Sequence, residues 1–268
     1  MSKGKKIFFA SDFHLGYDGK FSGKYREKII VKWLNSIEKE IEALYLMGDI
    51  FDYWFEYKEV VPRGFTLLLG KLHDLRLKGI PVFIFTGNHD MWLFDYLEKE
   101  MDISIIRKPV IKVFNNKKFF LAHGDGLGKV PLLDKIMKMA FSNRVLQWMF
   151  ARIHPNTGIA IMKFFSNLSR NSHSVYEKEF NPEKEFLVGF AESYLAKDAS
   201  IDYFVFGHRH IPVQYKLSNG KSFMINLGDW IENFTYGVFD GEHFSINKSS
   251  KFKVQSSKFK VQSIKFER

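Results

Sequence analysis

Short apolar runs alternate along the chain with longer stretches in which apolar residues recur every three or four positions. The runs Ile7–Ser11, Ala43–Met47, Pro81–Thr86, Ile103–Ile106, Val110–Phe114, Lys118–Ala122, Tyr203–Phe206, Val213–Lys216, Ser222–Ile225 and Tyr236–Phe239 predict β-strands. Helical spacing marks Lys24–Ile41, Phe65–Lys78, Met91–Lys99 and Glu183–Ala196. Asn115-Asn116 between two strand candidates is a hairpin signal. Early strand–helix alternation followed by hairpins predicts an α/β fold whose sheet becomes mixed in the second half.

Two segments break this rhythm. Lys129–Arg170 carries helical patterns that are apolar on more than one face, with a break at His154-Pro155-Asn156-Thr157-Gly158. The C-terminal stretch repeats Ser250-Lys-Phe-Lys-Val-Gln-Ser256 as Ser257-Lys-Phe-Lys-Val-Gln-Ser263. A seven-residue period would flip a strand's faces at each copy, and the repeat has too little apolar surface to fold alone. The expected organisation is a body over 1–247, a helical lid inserted at 129–180, and a basic tail at 248–268 without fixed structure.

Charge sharpens that division. The net charge is +10, with +6 in Lys248–Arg268, another +6 in Lys129–Arg170 and −2 in the remainder. A near-neutral body argues against a dedicated nucleic-acid surface. The absence of cysteine excludes disulfides, zinc–thiolate sites, iron–sulfur clusters and a thiol nucleophile, so a metal site must use His, Asp, Glu or Asn. The apolar stretch after the basic N-terminus is shorter than the roughly seven to fifteen residues of a signal-peptide core. A cytoplasmic chain is expected.

Polar residues capable of binding metal close several strands. They are Asp12-Phe-His14, Gly48-Asp49-Ile-Phe-Asp52, Gly87-Asn88-His89-Asp90, His123-Gly124-Asp125 and Gly207-His208-Arg209-His210. Each alone is weak, since a lone histidine is more often a hydrogen-bonded structural residue than a ligand. Five in order, each at a strand's carboxyl end, point to a site where open α/β sheets bind substrates.

The ordered set resembles the calcineurin-like metallophosphoesterases. That resemblance implies a four-layer α/β/β/α sandwich with two divalent metal ions. Asp12, His14, Asp49 and His210 would hold one, and Asp49 would bridge to a second held by Asn88, His123 and His208. Mixed nitrogen and oxygen donors suit Mn²⁺, with Fe²⁺ or Zn²⁺ as alternatives. By the same resemblance, His89 faces the substrate as proton donor or charge stabiliser, and Asp52 orients it. Asp90 and Asp125 read as turn or supporting groups.

The insert admits two readings. It is a helical hairpin packed on the sheet or at a dimer contact, or it is a lid, apolar inside for acyl chains and basic outside for anionic headgroups. Asn143–Phe150, Arg170-Asn171-Ser172 and Phe51-Asp52-Tyr53-Trp54 resemble a lipid A pathway branch of the family, although His89 stands where its well-known form has Arg. The resemblance implies an acylated UDP-sugar as substrate, with Arg170, Asn171 and Ser172 touching phosphate or sugar. Peripheral contact with an anionic membrane is expected, and Trp148 and Phe164 are expected to line the acyl chamber. The rivals are a phosphoesterase acting on nucleotide, nucleic acid or phosphoprotein, which would need a polar groove, and a non-catalytic scaffold or basic nucleic-acid binder. The complete ligand set argues against the scaffold.

Overall fold

A computed structural model describes residues 1–2, 4–128, 132–173 and 179–249, with the side chains of 132–134, 137 and 169–173 outside the description. Its strands are β1 Lys6–Ala10, β2 Ile41–Leu46, β3 Val82–Phe85, β4 Ser104–Ile106, β5 Val110–Phe114, β6 Lys117–Leu121, β7 Tyr203–Phe206, β8 Val213–Lys216, β9 Phe223–Asn226, β10 Thr235–Phe239 and β11 Phe244–Lys248. Its helices are α1 Gly23–Ile37, α2 Thr66–Leu77, α3 Tyr96–Met101, α4 Leu132–Ser142, α5 Arg144–Phe150, α6 Pro155–His173 and α7 Phe186–Leu195.

The strands form a six-stranded sheet, β11-β10-β1-β2-β3-β4, and a five-stranded sheet, β5-β6-β7-β9-β8. Strands β1 to β4 run parallel to one another, as do β6, β7 and β9, whereas β10, β11, β5 and β8 pair antiparallel. Period-two alternation sorts each strand's side chains between two layers. Ile7 and Phe9 of β1 turn toward the second sheet and meet Phe119, Leu121, Tyr203 and Val205. Phe9 and Phe119 stack there with ring centroids 6.1 Å apart. Phe8 and Ala10 turn the other way, onto Ile30, Trp33 and Leu34 of α1 and Leu68 and Leu72 of α2. Phe120, Phe204 and Phe206 cover the outer face of the second sheet against Leu187, Val188 and Ala191 of α7. The result is the four-layer α/β/β/α arrangement.

Three boundaries differ from the sequence pattern. Helix α1 stops at Ile37 and a single 3₁₀ turn, Glu38–Glu40, leads into β2. Helix α3 begins at Tyr96, not Met91, because Glu56 Oε2 reaches in from a distant loop and accepts from the Asp95 and Tyr96 N–H groups at 2.7 and 3.0 Å. In the insert, Pro155 opens α6, where its missing N–H costs nothing, so the break lies before it and Gly158 is already helical. Strand β11 lies outside the predicted runs. Its Phe-Ser-Ile-Asn-Lys has only two apolar residues, which suffices for an edge strand on β10. The strand includes Lys248, and the repeat beyond Ser249 lies outside the described residues.

Candidate metal centre

All five motifs leave the carboxyl ends of β1, β2, β3, β6 and β7, so two sheets supply one site. The loops brace one another through their backbones. Asp12 N–H donates to Gly48 O at 3.0 Å, His14 N–H to Asp49 O at 2.9 Å, and Asp52 N–H to Leu15 O at 2.9 Å. Asp12, His14, Asp49, His208 and His210 all have left-handed backbone, with φ of 56°, 43°, 52°, 69° and 57°. Such strain persists only where surrounding contacts over-determine the loop, and it clusters at functional sites. Gly87 shows how close the packing is: a Cβ there would collide with the Asp49 carboxylate.

Three triads of side chains converge so that their ligand atoms lie within 4.8 Å of one another. Asp12, His14 and His210 make the first, Asp49, His123 and His208 the second, and His14, Asp49 and His89 the third. Asn88 Oδ1 lies 3.2 Å from His208 Nδ1, so it joins the second group. His89, expected outside the ligand sphere, is thus also within reach of it.

The donors fit cations. His123 Nδ1–H donates to Met47 O at 2.8 Å, which aims the buried Nε2 at Asp49 Oδ2, 3.3 Å away and without hydrogen-bond geometry. His14 Nε2 and His210 Nε2 face each other at 3.3 Å. Electron-rich atoms this close need a positive charge between them, a proton in the bare chain or a metal ion. Burial opposes charge on His14, yet Asp12, Asp52 and Asp49 outweigh it and hold the ring up to about 10. His123 is likewise held well above the usual imidazole range by Asp49, against its own burial. Burial presses His208 down to about 3, with His123 adding to the effect.

Supporting groups surround these donors. Asp90 accepts from Gly87 N–H and Ile50 N–H, both at 2.7 Å, tying the β2 and β3 loops together. Its burial, and then Asp49, raise it to about 7. Asp125 belongs to none of the triads and pairs with Lys138 Nζ at 2.6 Å. Two contributors escaped the sequence reading. Asp229 Oδ1 accepts from the N–H groups of Ile231, Glu232 and Asn233, and its Oδ2 stands 3.6 Å from His210 Nδ1. Gly228-Asp229 after β9 repeats the Gly48-Asp49 signal and was legible. Ser166 on α6 had no signal.

Asp52 differs from its expected role. Its Oδ1 lies 3.3 Å from His14 Nδ1 but 3.8 Å from His89 Nδ1. His89 Nδ1 instead meets the backbone carbonyl of Asp52 at 3.2 Å and Ser166 Oγ at 3.1 Å. The Asp52 carboxylate braces the His14 ring, and its main chain braces His89. Burial pushes His89 down to about 4 against the pull of Asp49, so the unliganded ring is neutral at neutral pH.

A cavity of about 260 Å³ opens beside this cluster. Asn88, His89 and His208 line it together with Trp92, Phe141, Phe150, Ile161, Met162 and Phe165. The insert therefore lies over the centre. Trp148 and Phe164 do not take the place expected of them. They are 59% and 64% exposed and are absent from the lining, because α5 and α6 turn those positions outward. Arg170, Asn171 and Ser172 fall on the last turns of α6, with side chains outside the description. Among the described residues no helix is long and apolar enough to cross a membrane.

This chain belongs to the calcineurin-like phosphoesterase family, whose model matches residues 5–212. It is therefore a hydrolase of a family that works with divalent metal ions, and the His/Asp cluster is where its described donors converge. Its curated relatives are more particular. It is 38% identical over 248 residues to UDP-2,3-diacylglucosamine hydrolase of Porphyromonas gingivalis, covering 88% of this chain and 94% of that one. The protein of the same name from Histophilus somni is 24% identical over 230 residues, covering 84% and 92%. Among solved structures, Yfce, a phosphoesterase from E. coli, aligns with a TM-score of 0.44 at 14% identity, covering 92% of this chain and 94% of that one.

Proposed function

We propose that this chain hydrolyses the pyrophosphate of UDP-2,3-diacylglucosamine, releasing UMP and 2,3-diacylglucosamine 1-phosphate. The observation that carries this reading is the cavity, which joins a polar end at Asn88, His89 and His208 to an apolar wall of Phe141, Phe150, Ile161, Met162 and Phe165. One end suits phosphate and the other suits an acyl chain. The name of the relatives from Porphyromonas gingivalis and Histophilus somni supports the same substrate.

We assign one divalent cation to Asp12, His14, Asp49 and His210 and the other to Asp49, Asn88, His123 and His208, with Mn²⁺ as the resident metal. Two such cations neutralise phosphate charge and lower the pKa of water, making hydroxide available near neutral pH. The protein's own residues do the rest. Asp52 holds His14 in orientation through Nδ1, and the Met47 carbonyl does so for His123. His89 donates from Nδ1 to the Asp52 carbonyl, which leaves Nε2 as the ring atom available to the leaving oxygen. An arriving anionic phosphate favours the protonated ring and so prepares it to donate. Arg170, Asn171 and Ser172 are assigned to phosphate or sugar.

The outer face of the insert exposes Val145, Leu146, Trp148, Met149 and Phe164, with the Arg152 guanidinium 4.7 Å over the Trp148 ring. We assign this face to peripheral contact with an anionic bilayer, where amphipathic helices bury apolar residues beneath basic ones.

The reading is tested by supplying Mn²⁺ and comparing UDP-2,3-diacylglucosamine, an unacylated UDP-sugar and a small diester. Strong preference for the acylated substrate is expected. Equal turnover of all three would overturn the substrate assignment and leave a phosphoesterase of another specificity.

A further inference from the structure

Ser166 belongs to the insert, yet its hydroxyl reaches the centre of the site. The residue is 6% exposed. Its Oγ donates to Asp52 Oδ2 at 2.8 Å and lies 3.1 Å from His89 Nδ1. A carboxylate can only accept, and a serine hydroxyl has one proton to give. The proton therefore goes to Asp52, and the oxygen presents its lone pairs to His89. That polarity selects the His89 tautomer with hydrogen on Nδ1, the same one the Asp52 carbonyl selects from the other side.

The helix that carries Ser166 also builds the apolar wall. Ile159 and Met162 of α6 pack against the helix-side core of the body, and they share a helix face with Ser166. Met162 and the neighbouring Phe165 line the cavity. Seating α6 on the body thus forms the wall for the apolar part of a substrate and closes the hydrogen bond to His89 at once.

We propose that Ser166 is a positioning residue that holds the His89 ring through Nδ1, so that the reacting centre is complete only while the insert is docked. This rests on the phosphoester-hydrolase reading of the same site and adds a coupling between the acyl wall and the histidine. It also accounts for a histidine at position 89: its second ring nitrogen is held by a hydroxyl supplied from the insert.

The test uses the full chain with Mn²⁺, wild type beside Ser166→Ala and Ser166→Thr. Ser166→Ala should lower kcat about 10–100-fold on both the acylated substrate and a small diester, the range typical for loss of a supporting hydrogen bond. KM and metal content should stay near wild type, and Ser166→Thr, which keeps the hydroxyl, should recover most of the rate. In the metal-free protein, the His89 Nδ1 nitrogen resonance should move in Ser166→Ala and return in Ser166→Thr. Wild-type kcat in Ser166→Ala, or an unmoved His89 resonance, would overturn the inference while leaving the phosphoesterase reading intact. A wild-type protein that hydrolyses no phosphoester would instead overturn that reading itself.

Discussion

The His/Asp cluster and the insert above it are built on opposite principles. The candidate ligands sit on loops whose backbones are hydrogen-bonded to one another, five of them with left-handed conformation, and Asp12, His14, Asp49 and His123 are buried. Among its described residues the insert is anchored more sparsely, and α5 buries none of its residues. It is fastened at a few points: Trp92 Nε1–H donates to Phe141 O at 2.7 Å, Phe150 packs 4.8 Å from both Phe55 and Trp92, Lys138 pairs with Asp125, and Ser166 reaches the centre. Ligand atoms must hold their geometry to within fractions of an ångström before substrate arrives. A roof over an apolar chain need only exclude water and can adapt its packing, since loosely anchored elements open at low cost.

The sharpest way to break this contrast is to damage the rigid half. Asp49→Ala removes the carboxylate shared by two of the ligand triads, so activity on every substrate should fall to background and metal stoichiometry should drop. Retained turnover with full metal content would mean that another group bridges the centre. His89→Ala should keep both metal equivalents and lose about 10²–10⁴-fold in rate, the usual contribution of general acid–base help. Because His89 also lies within the third triad, metal analysis decides between the two roles: loss of an equivalent makes it a ligand.

Damage to the adaptable half should be selective. Phe165→Asp puts a charge into the cavity wall and should weaken the acylated substrate about 100-fold, equivalent to losing three or four methylene contacts at about 0.8 kcal/mol each. A small diester should be turned over as before. Equal losses on both would show that the insert is a structural support. The rivals at Trp148 and Phe164 give the matching control: being exposed, they should affect acyl preference little and binding to anionic vesicles more.

A smaller and graded effect is expected from pH. Without metal, His14 at about 10 and His123 well above its usual range are protonated at neutral pH, held so by the carboxylates around them. A cation must displace those protons. Metal affinity should therefore rise with pH below these values and fall as pH drops, by about tenfold per unit for each proton released. Calorimetry in buffers of different ionisation enthalpy counts the protons directly. Zero release would mean that the rings are neutral before loading.

The ligand motifs could be read from local pattern because each is local: a strand, then glycine, then a polar residue at the turn, as in Gly48-Asp49 and Gly87-Asn88. The residue pattern gave an α/β fold and the family resemblance implied its four layers, which bury strands that are apolar on both faces, such as Ile7-Phe8-Phe9-Ala10. The insert resisted the same treatment. Where apolar residues cover several faces of a helix, periodicity does not say which face docks, so Trp148 and Phe164 looked as suitable a lining as Phe150 and Phe165.

The sequence by itself determined the strand–helix order, the identity of the residues at the strand ends and the separation of a near-neutral body from basic additions, because propensity, turn chemistry and charge are properties of neighbouring residues. Tertiary structure alone decided which side of the insert faces the cavity, that the Asp52 carboxylate serves His14 while its carbonyl serves His89, and that a serine 77 residues further on completes the histidine's hydrogen bonds. Those outcomes depend on where two sheets and a docked helix bring distant side chains, and no local pattern in the chain encodes that distance.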